Sequence, residues 1–268
     1  ATGPDMDAVE TLIKEDDSIK GMWCVPKYSN PTGVIYSDET VERIAKLGTI
    51  ASNNFLVFWD NAYAIHDFND CKPLANVMDY ARTYGTENSI VQFASTSKIT
   101  HAGAGVAFIA SSSDNLAALK EVLSVLTIGP DKVNQLRHLR LFPDYSALLA
   151  HMQKHAALLK PRFECVLEHL NKAFSDNDLG EWESVEGGYF ISFNAQAGLA
   201  KKIVQLAANA GVKLTPAGAT FPYGNDPSDN NIRIAPSVPS LDEVDQAMKI
   251  FVNCVKLASV QKQLALSS

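Results

Sequence analysis

MWCVPKYSNPTGVIYSDETVERIAKLGTIASNNFLVFWD, residues 22–60, decides the fold. It opens with an apolar run, MWCVPKY at 22–28, and closes with another, FLVFWD at 55–60. Apolar runs of that length ending in polar residues read as strands of a covered sheet. Between them Ser37 stands as a helix N-cap, with Asp38 and Glu39 in the first turn and Val41, Ile44, Ala45, Gly48 and Ala51 at helical spacing. Strand, helix, strand is the unit of a parallel sheet. SIVQFAS at 89–95 and GVAFIAS at 105–111 predict two further strands, followed by a helix with Leu116, Leu119, Val122, Leu123 and Leu126 on its apolar face.

The second part of the chain has another texture. A long helical pattern runs from Asp144 to Phe174, and Pro161 inside it is expected to kink or divide it. GGYFISF at 187–193 predicts a strand, 199–210 a helix closed by Gly211, NIRIAP another strand, and Ser240 with Glu243 the capping box of a final helix. The expected class is therefore α/β: a mainly parallel sheet with flanking helices in residues 1–160, and a C-terminal α+β small domain in 161–268.

Composition narrows the function. Across 268 residues, 46% apolar and 20% charged residues describe a globular chain, and a net charge of −7 without a basic stripe argues against a nucleic-acid surface. No apolar run is long enough to cross a bilayer. Cys24, Cys71, Cys165 and Cys254 are scattered, a pattern of free thiols in a reducing compartment rather than of a disulfide frame or zinc site, so no metal is expected and the cytoplasm is the expected location.

Polar groups at strand ends carry the chemistry. They are Asn30 in SNPTG, Asp60 and Tyr63 in DNAY, Ser95, Ser97 and Lys98 in STSK, and Arg233 in NIRIAPS. Taken singly, each has an ordinary reading: a turn asparagine, a helix-capping aspartate, a surface lysine, an arginine in an internal ion pair. Together they supply what pyridoxal phosphate (PLP) requires. Lys98 carries the aldehyde as a Schiff base and moves the Cα proton, which calls for a buried amine beside a cationic ring. Asp60 keeps the pyridine nitrogen protonated, Tyr63 and Asn30 donate to the phenolic oxygen, and the Arg233 fork takes a substrate carboxylate.

These strings, with GGYF at 187–190 and GVKLTPAGATF at 211–221, resemble the fold-type I, class I PLP-dependent aminotransferases. VPKYSNPTG and STSKITHAGAGVAF are most similar to the aspartate aminotransferase subgroup that is like MocR-type proteins. The resemblance implies transamination of an amino acid with a 2-oxo acid, aspartate with 2-oxoglutarate in that subgroup. It also implies a homodimer with its active site at the subunit interface and a cis bond at Asn30–Pro31. Most members carry an arginine shortly after the lysine to clamp the cofactor phosphate; the matching position here is Val106, which leaves Ser95, Ser97 and backbone N–H groups for that task. Four strands before the small domain are fewer than the family's sheet contains. The chain is thus read as roughly the C-terminal two-thirds of such an enzyme, with a separate N-terminal fragment or an inactive piece among the expectations. Missing strands leave an exposed edge and an open sheet face. The rival readings are the effector module of a MocR-like regulator and a different PLP reaction such as β-elimination.

Three other signals stand outside this set. His151 and His155 are spaced for a metal pair but read as a solvated helix face. His101 reads equally as a residue approaching the cofactor and as a plain loop histidine, and Lys132 and Arg137, candidates for reaching a neighbouring subunit's substrate, read as surface charge.

Overall fold

The computed structural model describes residues 2–71 and 73–267. The chain divides into two compact units: Ala1–Ser29, Val34–Ile65 and Cys71–Met152 in the first, and Asn30–Gly33, His66–Asp70 and Gln153–Ser268 in the second. The division thus falls between Met152 and Gln153, where the sequence pattern placed it at 160/161, and two short segments from the first half of the chain belong to the second unit.

In the first unit β1 (Gly21–Cys24), β2 (Leu56–Asp60), β3 (Ile90–Ser95) and β4 (Ala107–Ser111) form one sheet in the order β1-β2-β3-β4. The first three strands are parallel and β4 runs antiparallel to β3. The short connection between Ser95 and Ala107 holds no crossover helix, so the chain turns back beside β3 instead of re-entering in parallel. MWCVPKY forms a strand only as far as Cys24. Helices α1 (Met6–Glu15), α2 (Asp38–Lys46) and α3 (Val77–Tyr84) contribute Met6, Ile13, Val41, Ile44, Val77 and Met78 to the core that covers Cys24, Val57, Trp59 and Ile90. Ser37 caps α2 as expected, its hydroxyl accepting from the Thr40 N–H.

Along β2 burial alternates, Val57 and Trp59 inward and Phe58 toward the other face. There Trp23 and Phe93 lie parallel with centroids 6.2 Å apart and Phe58 meets them edge-on at 5.5 and 5.7 Å, yet Trp23 stays 63% exposed. FLVFWD therefore has one covered face rather than two, and the expected open sheet face is present among the described residues. Helices α4 (Ser113–Leu126) and α5 (Lys132–Leu141) bury none of their residues. Of the apolar stripe anticipated on α4, Leu116 and Leu119 are half-buried while Val122, Leu123 and Leu126 are exposed, Leu126 to 74%.

Helix α6 (Tyr145–Phe174) is continuous through Pro161, so of the two expected outcomes, a kink or a division, the division does not occur. Proline inside a helix removes the bond to the carbonyl of Ala157 and costs about 3 kcal/mol. Beyond it, Phe163, Val166, Leu170 and Phe174 are buried in the second core. At about 1.5–3 kcal/mol for each buried side chain, that burial outweighs the proline.

In the second unit β5 (Gly180–Trp182), β6 (Ile191–Ala195) and β7 (Asn231–Ile234) make an antiparallel sheet, order β5-β6-β7, backed by α7 (Ala200–Asn209) and α8 (Leu241–Ser267). Phe193 lies at the middle of the core, its ring 5.2 Å from Phe251 and 5.7 Å from Phe174. GGYFISF enters the sheet only at Ile191. Its glycines meet the segment His66–Asp70 instead, where Gly188 N–H donates to the His66 carbonyl and Phe68 N–H to the Glu186 carbonyl. The capping box of α8 forms as predicted, Ser240 N–H donating to Glu243 Oε2 at 2.7 Å.

Asp226 sets the approach to β7. Its carboxylate is 4% exposed and accepts from the N–H groups of Ser228, Asn230 and Asn231 at 2.8–2.9 Å. Burial alone raises a carboxyl pKa, but here the backbone donors prevail and hold it below the ordinary range.

Candidate active site

In the first unit β2 ends in Asp60 and β3 ends in Ser95, both at the C-terminal edge of the parallel strands, where an α/β sheet gathers ligand groups. Asp60, Ser95, Ser97 and Lys98 line one cavity of about 370 Å³, with Phe93 and Ile109 among its apolar walls. Among the described residues the Asp60 carboxylate has no hydrogen-bond partner. Ser95 Oγ and Ser97 Oγ lie 2.8 Å apart, and Ser97 N–H donates to Ser95 Oγ. Lys98 is exposed, not buried as its chemistry suggested; its Nζ lies 5.0 Å from the centroid of the Tyr63 ring. Tyr63 is 4% exposed and is not among the residues lining the cavity.

The loop that presents Lys98 is held from both ends. Thr96 N–H donates to the Val106 carbonyl, Val106 N–H returns to Thr96 Oγ1 at 2.8 Å, and the N–H groups of Ile99 and Thr100 cap the Thr96 carbonyl. At Gly105 a Cβ atom would lie 2.5 Å from Ser97 Oγ and 2.8 Å from Ser97 N, so only glycine lets the returning strand pass the serine.

Two histidines bind this loop, and the sequence reading assigned neither to it. His138 Nδ1 donates to the Asn134 carbonyl at 2.9 Å, which leaves Nε2 as an acceptor 3.0 Å from Thr96 Oγ1 and 2.9 Å from Thr100 Oγ1. His151 Nε2 donates to the Ile99 carbonyl at 2.8 Å, so this residue is half-buried against the lysine loop rather than on a solvated helix face. The signal for both is a histidine on a helix following the lysine motif, too general to select them. Lys27 was missed as well: it is buried, and its Nζ donates to the Ala64 carbonyl at 3.1 Å. His101, Lys132 and Arg137 are exposed.

In the second unit Arg233 on β7 pairs across the sheet with Ser192. Its Nη1 donates to Asn30 Oδ1 at 2.9 Å and its guanidinium carbon lies 4.6 Å from the centroid of the Phe190 ring. An arginine only donates, so this bond fixes the Asn30 amide with oxygen toward Arg233 and leaves its NH2 to donate elsewhere. No carboxylate pairs with Arg233 among the described residues, and its buried Nε lacks an acceptor. The internal partner is thus an amide rather than the carboxylate that a buried arginine suggested. Asn30–Pro31 is cis, as expected. Gly33 follows at φ +73°, where a Cβ would lie 2.4 Å from Val185 Cγ1.

The donor set of the first unit fits PLP: a carboxylate, an amine and two hydroxyls line one cavity. In the second unit, by itself, an arginine and an asparagine hold each other, and among the described residues the arginine keeps a donor unused. Comparison with known proteins leads the same way. The family model described as aspartate amino-transferase matches residues 1–266. Aspartate aminotransferase of Corynebacterium glutamicum is 42% identical over 260 residues, covering 97% of this chain and 60% of that protein. The crystal structure of an aspartate transaminase from the same organism superposes with a TM-score of 0.94 at 41% identity, covering 97% of this chain and 61% of that one. LysN, an α-aminoadipate aminotransferase of Thermus thermophilus complexed with N-(5'-phosphopyridoxyl)-L-leucine, shares the fold with a TM-score of 0.81 at 21% identity, over 97% of this chain and 64% of that one. The chain therefore spans about three fifths of the length of the relatives it matches. A family model matched from the first residue almost to the last, on a sheet that places a lysine and an aspartate around one cavity, makes this chain a member of the aspartate aminotransferase family.

Proposed function

We propose that the protein carrying this chain is a PLP-dependent aminotransferase that moves the amino group of an α-amino acid to a 2-oxo acid. The cavity that gathers Asp60 and Lys98 at the sheet edge is the observation that carries this reading. When bound, PLP supplies an aldehyde that condenses with amines and a pyridine ring that accepts electrons from the bonds at Cα. Lys98 Nζ holds the cofactor and then takes and returns the proton at substrate Cα. Asp60 keeps a proton on the pyridine nitrogen. Tyr63 and the free amide hydrogens of Asn30 donate to the phenolic oxygen, while Ser95, Ser97 and adjacent N–H groups donate to the phosphate. Arg233, steadied by Asn30 and Phe190, directs its unused N–H groups at the α-carboxylate.

The name of the 42% identical relative supports aspartate as the amino donor, and the aminotransferase names favour group transfer over the sensing module; 2-oxoglutarate as the acceptor rests on the family resemblance. We propose a homodimer, as the family resemblance implies, in the cytoplasm, as the scattered cysteines, all free, suggest. Light scattering of the purified protein tests the two-subunit mass.

The decisive experiment is the visible spectrum of the full-length protein with PLP, before and after L-aspartate, with oxaloacetate measured alongside. An absorbance band that bleaches with aspartate, yields oxaloacetate and is lost in Lys98→Ala supports the assignment. A band that persists through every amino acid tried overturns it. With L-serine, whose β-hydroxyl can leave, pyruvate and ammonia without a pyridoxamine product point to elimination.

A further inference from the structure

Helices α6 and α8 bring three metal-binding side chains together within the second unit. Cys165 and His169 stand one turn apart on α6, and Asp245 faces them from the first turns of α8. One ligand atom from each, a thiol sulfur, an imidazole nitrogen and a carboxylate oxygen, lies within 4.8 Å of the other two. His169 Nε2 is 2.8 Å from Asp245 Oδ1, and Lys249 Nζ is 2.6 Å from Asp245 Oδ2. None of these residues belongs to the cofactor or substrate set.

We propose that Cys165, His169 and Asp245 form a binding site for a zinc-type divalent cation, with solvent in the fourth position, that ties α6 to α8. Zinc takes thiolate, imidazole and carboxylate at about 2.0–2.3 Å in a tetrahedron. Its ligand atoms then stand about 3.2–3.8 Å from one another, so side-chain rotations of roughly 1 Å complete the set. The mixed S, N and O donors select zinc over calcium or magnesium, which prefer oxygen alone. Lys249 holds the second oxygen of Asp245 and so orients the carboxylate to bind through the first, as an outer partner does for a metal ligand. The Lys249 hydrogen bond, and after it that of His169, keeps the Asp245 carboxyl below the usual range, so this ligand is ionised at neutral pH. The Cys165 thiol is pushed up by burial first, then by Asp245 and Glu168, with Lys249 opposing.

The test uses full-length protein freed of metal by chelation. Titration calorimetry with Zn2+ is expected to give one saturable site per chain. Co2+ is expected to give the thiolate charge-transfer band and the intense visible bands of a tetrahedral ion. Cys165→Ser removes the charge-transfer band, and His169→Ala or His169→Gln weakens Zn2+ binding at least about tenfold, with the far-ultraviolet dichroism of each variant checking its fold. Cys71→Ser, at a cysteine outside the cluster, leaves both signals intact. No saturable binding, weak octahedral Co2+ bands only, or a charge-transfer band that survives in Cys165→Ser overturns the site.

Discussion

Arg233 Nη1 donates to Asn30 Oδ1 across 2.9 Å, between residues 203 positions apart in sequence. The bond fixes the guanidinium plane and at the same time turns the asparagine amide hydrogens outward, so one contact prepares two donors. With Phe190 against the cation, Arg233 has little freedom and its Nε points at no internal acceptor. Arg233→Lys keeps the charge but loses the fork. Charge-assisted hydrogen bonds contribute about 1.5–3 kcal/mol, so kcat/KM for an α-amino acid is expected to fall roughly 10- to 100-fold. Asn30→Ala is expected to lower it as well and, if the amide donates to the phenolic oxygen as proposed, to shift the visible band. An Arg233→Lys variant with unchanged kcat/KM would remove Arg233 from substrate binding.

The strand–helix–strand of the first unit was legible because alternation of apolar and helical periods is local, and Asp60 and Lys98 were legible because each terminates or follows an apolar run. Helix α3 was not, since its buried Val77, Met78 and Ala81 make too short a stripe to stand out. Helix α5 buries nothing, so GPDKVNQLRH read only as charge. Pairing of Arg233 with Asn30, and the assembly of Cys165, His169 and Asp245, depend on chain reversals that no window of sequence contains. The continuity of α6 through its proline was hidden for a related reason: the local penalty is visible in sequence, while the core that outweighs it is tertiary.

That last comparison is measurable. In Pro161→Ala the new N–H can donate to the Ala157 carbonyl within an otherwise continuous helix. The variant is expected to be more stable by about 1–3 kcal/mol in denaturant titration. A destabilised Pro161→Ala would mean that the ring itself packs in a way that outweighs its missing hydrogen bond.

His138 is placed to set the lysine loop without touching substrate. With Nδ1 donating to the Asn134 carbonyl, its Nε2 faces the hydroxyls of Thr96 and Thr100, and Thr96 Oγ1 in turn accepts the Val106 N–H. His138→Ala leaves these groups to solvent. A loss of about 1–2 kcal/mol of stability is expected, with faster amide exchange confined to residues 96–106. His138→Gln, whose side-chain oxygen can accept, is expected to restore part of the protection. Unchanged exchange in His138→Ala would show that the loop holds itself.

Gly105 makes a sharper test of the phosphate role of the serines. A methyl group there must displace Ser97, whose Oγ and N would lie 2.5 and 2.8 Å from it. Gly105→Ala is expected to weaken PLP affinity at least about tenfold, the effect of losing one charge-assisted hydrogen bond, with little change in the KM ratio between amino acids once saturated. Tight PLP binding in this variant would exclude Ser97 from the phosphate site.

Asp226 gives the small unit a predictable acid limb. Its folded pKa lies below that of the unfolded chain, because the N–H groups of Asn231, Asn230 and Ser228 outweigh the opposing effect of burial. Its contribution is therefore complete above the unfolded value, near 4, and is lost as pH falls through the lower folded value. Thermal melts of the full-length protein between pH 6 and about 2.5 are expected to show stability declining below pH ~4, less steeply in Asp226→Asn. Asp226→Ala leaves three backbone donors without their acceptor and is expected to cost about 3 kcal/mol at neutral pH. Because those donors lead directly into β7, the same variant should also raise KM for amino acids by loosening Arg233. An Asp226→Asn melt parallel to the wild type across the whole acid range would transfer the acid limb to other carboxylates.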